Sequence, residues 1–306
     1  MSKPSITIVT PSFNDVTFLQ ATIGSVVFQD YPMLEYIAVD GDSTDGSVEI
    51  LKANEQALDR WISEPDSGQY DAIQKGFESS TGEIMGWLNA NDLYFPGALE
   101  TVASIMSALP EVRWLSTLNP ARWDVHGRCI GVTPLAGFSR EAFLDGRFAA
   151  WEGRPDTAWI HQESTFWRRD LWEEAGGKVD RGLRLAGDFE LWTRFYDHAE
   201  LYGTPALLGG YREHERAPSR VHQPYAAEAR AALEAMRKRA EWHPSRRRGL
   251  DDRRLPKLGR RLVWSREYVA RNVVSKEPAS ADATWVVETV RFRGGPAAAP
   301  SSVVVT

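Results

Sequence analysis

The sequence contains a single cysteine, Cys129, and it lacks both of the common phosphate-binding loops. One cysteine excludes an internal disulfide and a cysteine-rich metal site, and a reducing cytoplasm is the simplest compartment for such a chain. The first predicted strand is followed by TPSFND (residues 10–15) where a dinucleotide fold would have a GxGxxG loop, and no Walker loop is present. Dehydrogenases and phosphate-loop enzymes are therefore poor candidates.

Long apolar segments are also missing. The longest promising uncharged run, Val16 to Gln29, is too short and too polar to span a bilayer. Residues 1–15 lack a basic region followed by an apolar core, so we expect no signal peptide and a cytoplasmic protein. A chain of 306 residues, 42% of them hydrophobic, is long enough for one large domain with an appendage.

The first hundred residues alternate between apolar, β-branched segments and segments with helical spacing. Strands are predicted at residues 6–11, 35–40, 60–65 and 83–89, and helices at 15–29, at 47–58, after the loop that begins at 66, and from Pro96. Such alternation predicts an α/β sandwich with a mostly parallel sheet. In sheets of this kind the ligand binds at the carboxyl ends of the strands.

Each of these four strands is followed at once by residues with oxygen-bearing side chains: Ser12 and Asn14, Asp40 and Asp42, Glu64 and Asp66, and Asn89, Asn91 and Asp92. The carboxyl ends of the strands can converge on one rim, so we expect these groups to form one site. Carboxylates bind Mg²⁺ or Mn²⁺, ions that usually share their ligands with substrate phosphates. Such an ion also stabilises a diphosphate that departs as a leaving group.

In the second half of the chain the sequence pattern predicts short strands over residues 112–166, a strand followed by a helix over 161–177, and a helix over 183–199. From Pro224 the sequence is rich in alanine and basic residues. We therefore expect a main domain over 1–215, a basic and mainly helical extension over 216–290, and a disordered tail over 291–306.

Charge is distributed unevenly between these parts. Residues 212–271 hold 17 Lys and Arg against 8 Asp and Glu, a net charge of +9, whereas the remainder holds 19 against 34, a net charge of −15. Basic residues interleaved with leucine and tryptophan over 246–264 suit an anionic membrane surface, so peripheral membrane contact through 224–271 is one hypothesis. The alternative is an arm that packs on the domain or on a second subunit. We expect no nucleic acid partner.

Six segments occur in the order and spacing of family 2 glycosyltransferases, which the chain resembles over roughly residues 5–215: TPSFN (10–14), VDGDSTDGS (39–47), SEPDSGQYDAIQKGF (63–77), TGEIMGWLNANDLYFPGAL (81–99), HQESTFWRR (161–169) and AGDFELWTRF (186–195). The resemblance implies a GT-A fold and inverting transfer from a nucleotide-diphosphate sugar, with UDP or dTDP the favoured nucleotides. It also implies Mn²⁺ or Mg²⁺ as cofactor and a saccharide or lipid-linked saccharide of a surface polysaccharide as acceptor.

The resemblance assigns residues to the nucleotide. The loop containing Thr10, Pro11, Phe13 and Asn14 would meet the base, with Phe13 as a stacking aromatic. Asp40 matches the first acid of the second-strand motif, but Gly41 separates it from Asp42, so either acid is a candidate for the contact. Asp71 and Lys75 are further nucleotide-site candidates, with a solvated ion pair on a helix as the alternative.

The metal position in the resemblance falls on Asp92, and Asn91 stands where the family usually has an aspartate that touches the ribose. An asparagine keeps one carbonyl acceptor but loses the charge, so we expect weaker metal affinity. The lost charge also motivates a second hypothesis, a degenerate glycosyltransferase that acts as a binding or scaffold subunit. A third, a sugar nucleotidyltransferase, is disfavoured because no glycine-rich loop ending in a basic residue follows the first strand.

Asp188 matches the catalytic base, which takes the proton from the acceptor hydroxyl as that hydroxyl attacks the anomeric carbon. His161 and Gln162 are implied between donor and acceptor, and Glu190 and Trp192 are implied as acceptor contacts. A helix cap is the alternative role for Asp188, and a place in the core is the alternative for Trp192.

Overall fold

The computed structural model describes residues 3–152, 157–214, 222–244, 267–275 and 284–292. The strands are β1 (Ile6–Ser12), β2 (Leu34–Asp40), β3 (Arg60–Ser63), β4 (Ile84–Trp87), β5 (Leu93–Tyr94), β6 (Trp114–Thr117), β7 (Ala121–Trp123), β8 (Cys129–Val132), β9 (Thr165–Arg168), β10 (Tyr202–Thr204), β11 (Gly209–Arg212), β12 (Tyr268–Ser275) and β13 (Trp285–Phe292). The helices are α1 (Leu19–Val27), α2 (Ser47–Ala53), α3 (Gln69–Glu78), α4 (Ala98–Ala108), α5 (Arg140–Leu144), α6 (Arg169–Glu174), α7 (Gly187–Phe195) and α8 (His222–Arg239).

The strands form a large mixed sheet and a small one. The large sheet has the order β13-β12-β10-β6-β9-β4-β1-β2-β3, and the small sheet has the order β5-β11-β7-β8. Strand β1 runs parallel to both β2 and β4, and β9 runs antiparallel between β4 and β6. This confirms the predicted α/β fold.

The register explains why the polar strand ends meet. Ser12 pairs with Asp40 across β1 and β2, and Asp40 pairs with Ser63 across β2 and β3. All seven residues of β1 are buried, because helices cover both faces of a parallel sheet and leave only the strand ends for solvent or ligand. The sheet thus carries its polar residues to one edge.

The core contains two apolar clusters. One is centred on four fully buried tryptophans, Trp87, Trp114, Trp167 and Trp192, whose rings contact one another at 5.5 to 6.1 Å between centroids. The other includes residues of β1, α1 and α4, among them Ile8, Leu19 and Leu99. Together they fix α7, which holds Asp188, and β4, after which Asp92 follows in the chain.

The C-terminal part differs from the expectation of a mainly helical extension after residue 215. Helix α8 is present, but β12 and β13 are strands of the large sheet, where β12 pairs in parallel with β10. The strand β13 also includes residues 291 and 292, which differs from the prediction of a disordered tail over 291–306. The rest of that tail and the basic segment 246–264 lie outside the described residues.

None of the helices in the described ranges combines the length and the apolar composition needed to cross a membrane.

Candidate active site

A cleft of about 1680 Å³ opens at the carboxyl ends of β1, β2 and β4. Its lining residues form three groups: a first group after β1, β2 and β3, a second around Asp92, and a third around Asp188. Of the predicted site residues, the cleft wall includes Pro11, Phe13, Asn14, Asp42, Asn91, Asp92, His161, Gln162 and Asp188.

The first group presents an aromatic ring and polar atoms held by a tight turn network. The side chain of Phe13 is 62% exposed, which suits it to stack on a planar ligand rather than to fill the core. Asn14 adopts a left-handed backbone (φ 55°), its N–H donates to Ser43 Oγ at 2.8 Å, and its Oδ1 accepts from Thr44 N at 3.0 Å. These bonds fix the loop that follows β1.

Asp42, and not Asp40, reaches the cleft. Asp40 is fully buried and accepts hydrogen bonds from Ser43 N at 2.9 Å and from Ser63 Oγ at 2.8 Å. Asp42 is exposed, lines the cleft and has φ 68°. The predicted nucleotide contact of Asp40 is therefore corrected: Asp40 shapes the turn that presents Asp42. Thr10 is corrected likewise, since it is fully buried with its hydroxyl 3.1 Å from that of Tyr36.

Asp71 and Lys75 are not among the residues of the cleft wall, and their nucleotide contacts stay a prediction. Lys75 Nζ is 2.8 Å from Glu64 and 3.7 Å from Asp71, and it donates to the carbonyl of Pro65 at 3.2 Å. Asp71 accepts from Ser67 N at 3.1 Å and pairs with Arg181 at 3.3 Å. Both charges are thus paired with neighbouring side chains, but Asp71 is buried and does not form the solvated pair of the alternative.

The second group centres on the buried carboxylate of Asp92. Its Oδ1 accepts from Arg212 N at 2.9 Å and its Oδ2 accepts from Asn89 Nδ2 at 3.2 Å. Burial raises the pKa of Asp92 well above its ordinary value, and the charge of Glu163 raises it further, against the opposing effect of the two hydrogen bonds. Asp92 and Glu163 are both buried, and the guanidinium of Arg212 is the nearby positive charge. A cation bound beside the two acids would lower the electrostatic free energy of the site.

His214 was not predicted as a site residue, yet it lies in this group. Its Nε2 is 2.8 Å from Asn91 Nδ2, and its ring is 5.0 Å from that of Phe18. The signal in the sequence was modest: a histidine two residues beyond the end of a short strand, in YREH (211–214).

The donor set of Asp92, Asn91 and His214 fits a divalent ion only in part. No three His, Cys, Asp or Glu side chains converge as a metal cluster anywhere in the described ranges. An ion such as Mg²⁺ commonly takes one or two carboxylates and completes its shell with substrate phosphates and water. The residues therefore fit a metal that is bound jointly with a diphosphate.

The third group contains Asp188 in the first turn of α7. Its Oδ1 is buried without a hydrogen-bond partner among the described residues. Burial, opposed by the Phe189 N–H and reinforced by Glu163, raises the pKa of Asp188 to about 7. A carboxylate with a pKa near the working pH, and with one oxygen uncommitted, is suited to accept a proton.

Helix α8 holds the loop that leads into Asp188. The carboxylate of Glu228 accepts the backbone N–H groups of Arg184, Leu185 and Ala186 at 2.8 to 3.0 Å. From the other side, the hydroxyl of Tyr70 donates to the carbonyl of Leu185 at 2.7 Å. Since α8 buries Ala229, Leu233 and Met236 against the domain, this helix of the extension is a packing element.

Replacing Glu228 with alanine is expected to destabilise the fold by about 2 kcal/mol, because the charge-assisted bonds to three amides are lost. Turnover should fall about tenfold as the base moves from its position, while the nucleotide dissociation constant stays unchanged. Thermal unfolding, steady-state rates and calorimetry measure the three quantities. The exposed Glu234 of the same helix, changed to alanine, is the matched control. Equal turnover in the two variants would refute the positioning role.

The remaining predictions divide between cleft and core. His161 and Gln162 both line the cleft. Gln162 donates to the carbonyl of Trp87 at 2.6 Å, and Nδ1 of His161 is 2.8 Å from Oε1 of Glu163. Trp192 is 1% exposed and stacks on Trp87, so it cannot contact an acceptor. Glu190 lies outside the cleft wall and is paired with Arg194 at 2.8 Å. Both acceptor assignments are corrected.

A large mixed sheet whose carboxyl edge holds an acidic, partly aromatic cleft is the architecture of a nucleotide-sugar transferase of the GT-A type. Residues 7–114 match the model of the family described as glycosyl transferase family 2. An uncharacterized glycosyltransferase of Mycobacterium tuberculosis (strain ATCC 25618 / H37Rv) is 34% identical over 197 residues, which are 63% of this chain and 69% of that relative. The chain belongs to glycosyltransferase family 2.

A second curated relative is the putative teichuronic acid biosynthesis glycosyltransferase TuaG of Bacillus subtilis, 33% identical over 107 residues, or 34% of this chain and 42% of TuaG. Among solved structures, S. aureus TarS 1-349 in complex with UDP-GlcNAc superposes with a TM-score of 0.56 at 12% identity, covering 85% of this chain and 70% of that one. This chain spans 37% of the longer TarS chain, with a TM-score of 0.52.

The mannosyltransferase PcManGT from Pyrobaculum calidifontis, in complex with GDP-Man and Mn²⁺, has a TM-score of 0.50 at 18% identity, covering 79% of this chain and 76% of that one. These similarities confirm the GT-A fold. The chain is thus a glycosyltransferase by family, and it has the GT-A fold.

Proposed function

We propose that the protein transfers a sugar, with inversion, from a nucleotide-diphosphate sugar to an acceptor hydroxyl with the help of Mg²⁺ or Mn²⁺. The observation that carries the proposal is the placement of two different acids on one cleft. Asp92 is hydrogen-bonded on both oxygens, whereas Asp188 has a buried, uncommitted oxygen and a pKa of about 7. Burial raises the pKa of both acids, but of the two only Asp188 has a buried oxygen without a partner among the described residues, and this difference assigns them separate roles.

In this mechanism Asp188 accepts the proton of the acceptor hydroxyl as the oxygen attacks the anomeric carbon from the face opposite the diphosphate. Asp92, with Asn91 and His214, would hold the divalent ion. When bound, the ion supplies positive charge for the bridging oxygen of the leaving diphosphate. Phe13 and Asp42 would bind the nucleoside, the first by stacking on the base and the second by accepting hydrogen bonds.

UDP and dTDP are the proposed nucleotides, and a saccharide or lipid-linked saccharide of a surface polysaccharide is the proposed acceptor. The relative TuaG is named for teichuronic acid biosynthesis, and TarS is described with UDP-GlcNAc, which supports both choices. PcManGT is described with GDP-Man, so the family fold accommodates a purine as well.

Titration calorimetry with UDP, dTDP, GDP and ADP, each with and without Mn²⁺, tests the donor side of the proposal. We expect one uracil or thymine nucleotide to bind in a Mn²⁺-dependent way. Binding of none of the four would contradict it. The second hypothesis, a binding or scaffold subunit, is favoured only by the missing charge at Asn91, and it predicts nucleotide binding without donor hydrolysis.

We also propose a cytoplasmic location with peripheral contact at the inner face of the membrane. Because α8 packs on the domain, such contact would fall on the basic segment 246–264. Truncation would remove β12 and β13 from the sheet, so the sharper variant replaces Arg246–Arg248, Arg253 and Arg254 with serine. We expect the wild-type protein to co-sediment with anionic liposomes at low salt and the serine variant to lose this binding. Equal co-sedimentation of the wild-type protein and the variant would refute the hypothesis.

A further inference from the structure

Two aromatic side chains, Trp159 and Tyr225, line the cleft beside Asp188. Their ring centroids are 5.3 Å apart and their planes meet at 74°. Both are partly exposed, and neither was predicted as a site residue. They supply the aromatic surface for the acceptor that the family resemblance had implied at Trp192.

The pair has a rigid support. Trp151 lies against both rings, at 5.9 Å from Trp159 and 5.6 Å from Tyr225, and it packs edge-on against the buried Phe189 of α7 at 4.9 Å. Tyr225 belongs to the first turn of α8, the helix whose Glu228 holds the loop before Asp188. Aromatic surfaces fixed in this way lose little conformational entropy when a ligand stacks on them.

The pair is attached to the elements that hold Asp188. Trp159 and Tyr225 line the same cleft as Asp188, Trp151 joins them to Phe189 of α7, and Tyr225 stands on the helix whose Glu228 holds the backbone just before Asp188. The acceptor hydroxyl must come within hydrogen-bond reach of Asp188, so the rest of the acceptor extends over neighbouring surface.

The charge of the cleft restricts what can lie there. Among the described residues that line it, seven carry carboxyl groups and one, Arg212, carries a guanidinium. That guanidinium donates to the carbonyl of Asn91 in the second group. Among these described residues a phosphate-bearing acceptor would meet Arg212 as the one Lys or Arg side chain, whereas a neutral sugar would meet two aromatic faces.

Building on the proposed function, we propose that Trp159 and Tyr225 form the acceptor subsite and that they stack on the apolar C–H face of a neutral pyranose. The acceptor is then a pyranose-containing saccharide and not a linear polyol or a polyol phosphate. A pyranose with equatorial hydroxyls presents axial C–H groups on one face, and an aromatic ring binds that face. A flexible polyol has no such face.

Saturation-transfer difference NMR tests the subsite with defined probes. The sample contains the full chain, UDP, Mg²⁺ and, in turn, methyl β-D-glucopyranoside, methyl β-D-galactopyranoside and ribitol. We expect saturation of the axial ring protons of at least one pyranoside and none of ribitol. Trp159→Ala should weaken the pyranoside signal about tenfold, and Trp159→Phe should largely preserve it. Phe28→Ala removes an aromatic side chain that is 85% exposed and outside the cleft, and serves as control.

The UDP signal of the same samples separates the two proposals. If UDP binds and no pyranoside is saturated, or if Trp159→Ala leaves the pyranoside signal intact, the acceptor subsite is refuted while the donor site stands. If UDP and the other nucleotides fail to bind the wild-type protein, the proposed function itself is refuted. If Trp159→Ala also loses the UDP signal, Trp159→Leu takes its place, because leucine fills the space without a ring. The pyranoside and UDP signals of that variant are then compared in the same way.

Discussion

Changing Asp188 to asparagine is expected to lower turnover by about 10²-fold or more, the usual effect of removing a general base. Nucleotide binding should stay near the wild-type value, because Asp188 lies in the third group of the cleft and the nucleotide is assigned to the first. Initial rates of sugar transfer and calorimetry with the nucleotide diphosphate measure the two effects. Asp170, an exposed aspartate in the first turn of α6, changed to asparagine is the matched control.

The pH dependence of the wild-type rate provides an independent check on the same residue. The base must be ionised to accept a proton, and burial raises its pKa to about 7. The rate should therefore fall as the pH decreases through about 7, with a single acidic limb that is absent in the asparagine variant. A variant that transfers sugar at the wild-type rate would remove Asp188 from the mechanism.

Replacing Asp92 with alanine is expected to abolish the metal-dependent part of nucleotide-diphosphate binding. Asp92 is the one buried carboxylate of the proposed metal group, and Asn91 and His214 are neutral donors that bind a hard ion weakly without it. Calorimetric titrations with and without Mn²⁺ measure the difference. Asp42→Ala, also in the cleft wall, is the control: it should weaken nucleotide binding while the dependence on Mn²⁺ persists. Unchanged Mn²⁺ dependence in Asp92→Ala would show that this acid has only a structural role.

Asn91→Asp tests the same group in the opposite direction. The added carboxylate should tighten Mn²⁺ binding and preserve or raise activity, since the missing charge is what limits metal affinity. If activity is lost, the asparagine amide makes a specific contact, for which the 2.8 Å approach to His214 is the candidate.

The sheet was predictable from sequence where local pattern and final environment agree. The strand ITIVTP is rich in apolar and β-branched residues and is buried along its whole length, and the parallel register brings its polar end at Ser12 beside Asp40 of β2. The strands β12 and β13 were missed because the basic composition around them dominated the prediction, although YVARN (268–272) alternates between buried and exposed positions. The pairing of β12 with β10 joins residues almost 70 positions apart, and local patterns carry no information on such pairing.

The site was predictable to the level of segments and less so to the level of side chains. Asp40 and Asp42 are two positions apart, and which of them faces the cleft depends on the hydrogen bonds of Ser43 and Ser63. The helical spacing around Trp192 placed it on an apolar face, but it is Trp87 across the core that decides its burial. Glu228, Trp159 and Tyr225 act through contacts with distant segments, which have no local signature.

Proton NMR of a nucleotide-diphosphate sugar incubated with the protein, Mg²⁺ and a pyranoside acceptor tests the central claim most directly. The account predicts release of nucleoside diphosphate and a new glycoside whose anomeric configuration is opposite to that of the donor, with both signals absent in Asp188→Asn over the same time. Release of nucleoside monophosphate, a product with the configuration of the donor, or no turnover of any donor whose nucleotide binds would contradict it.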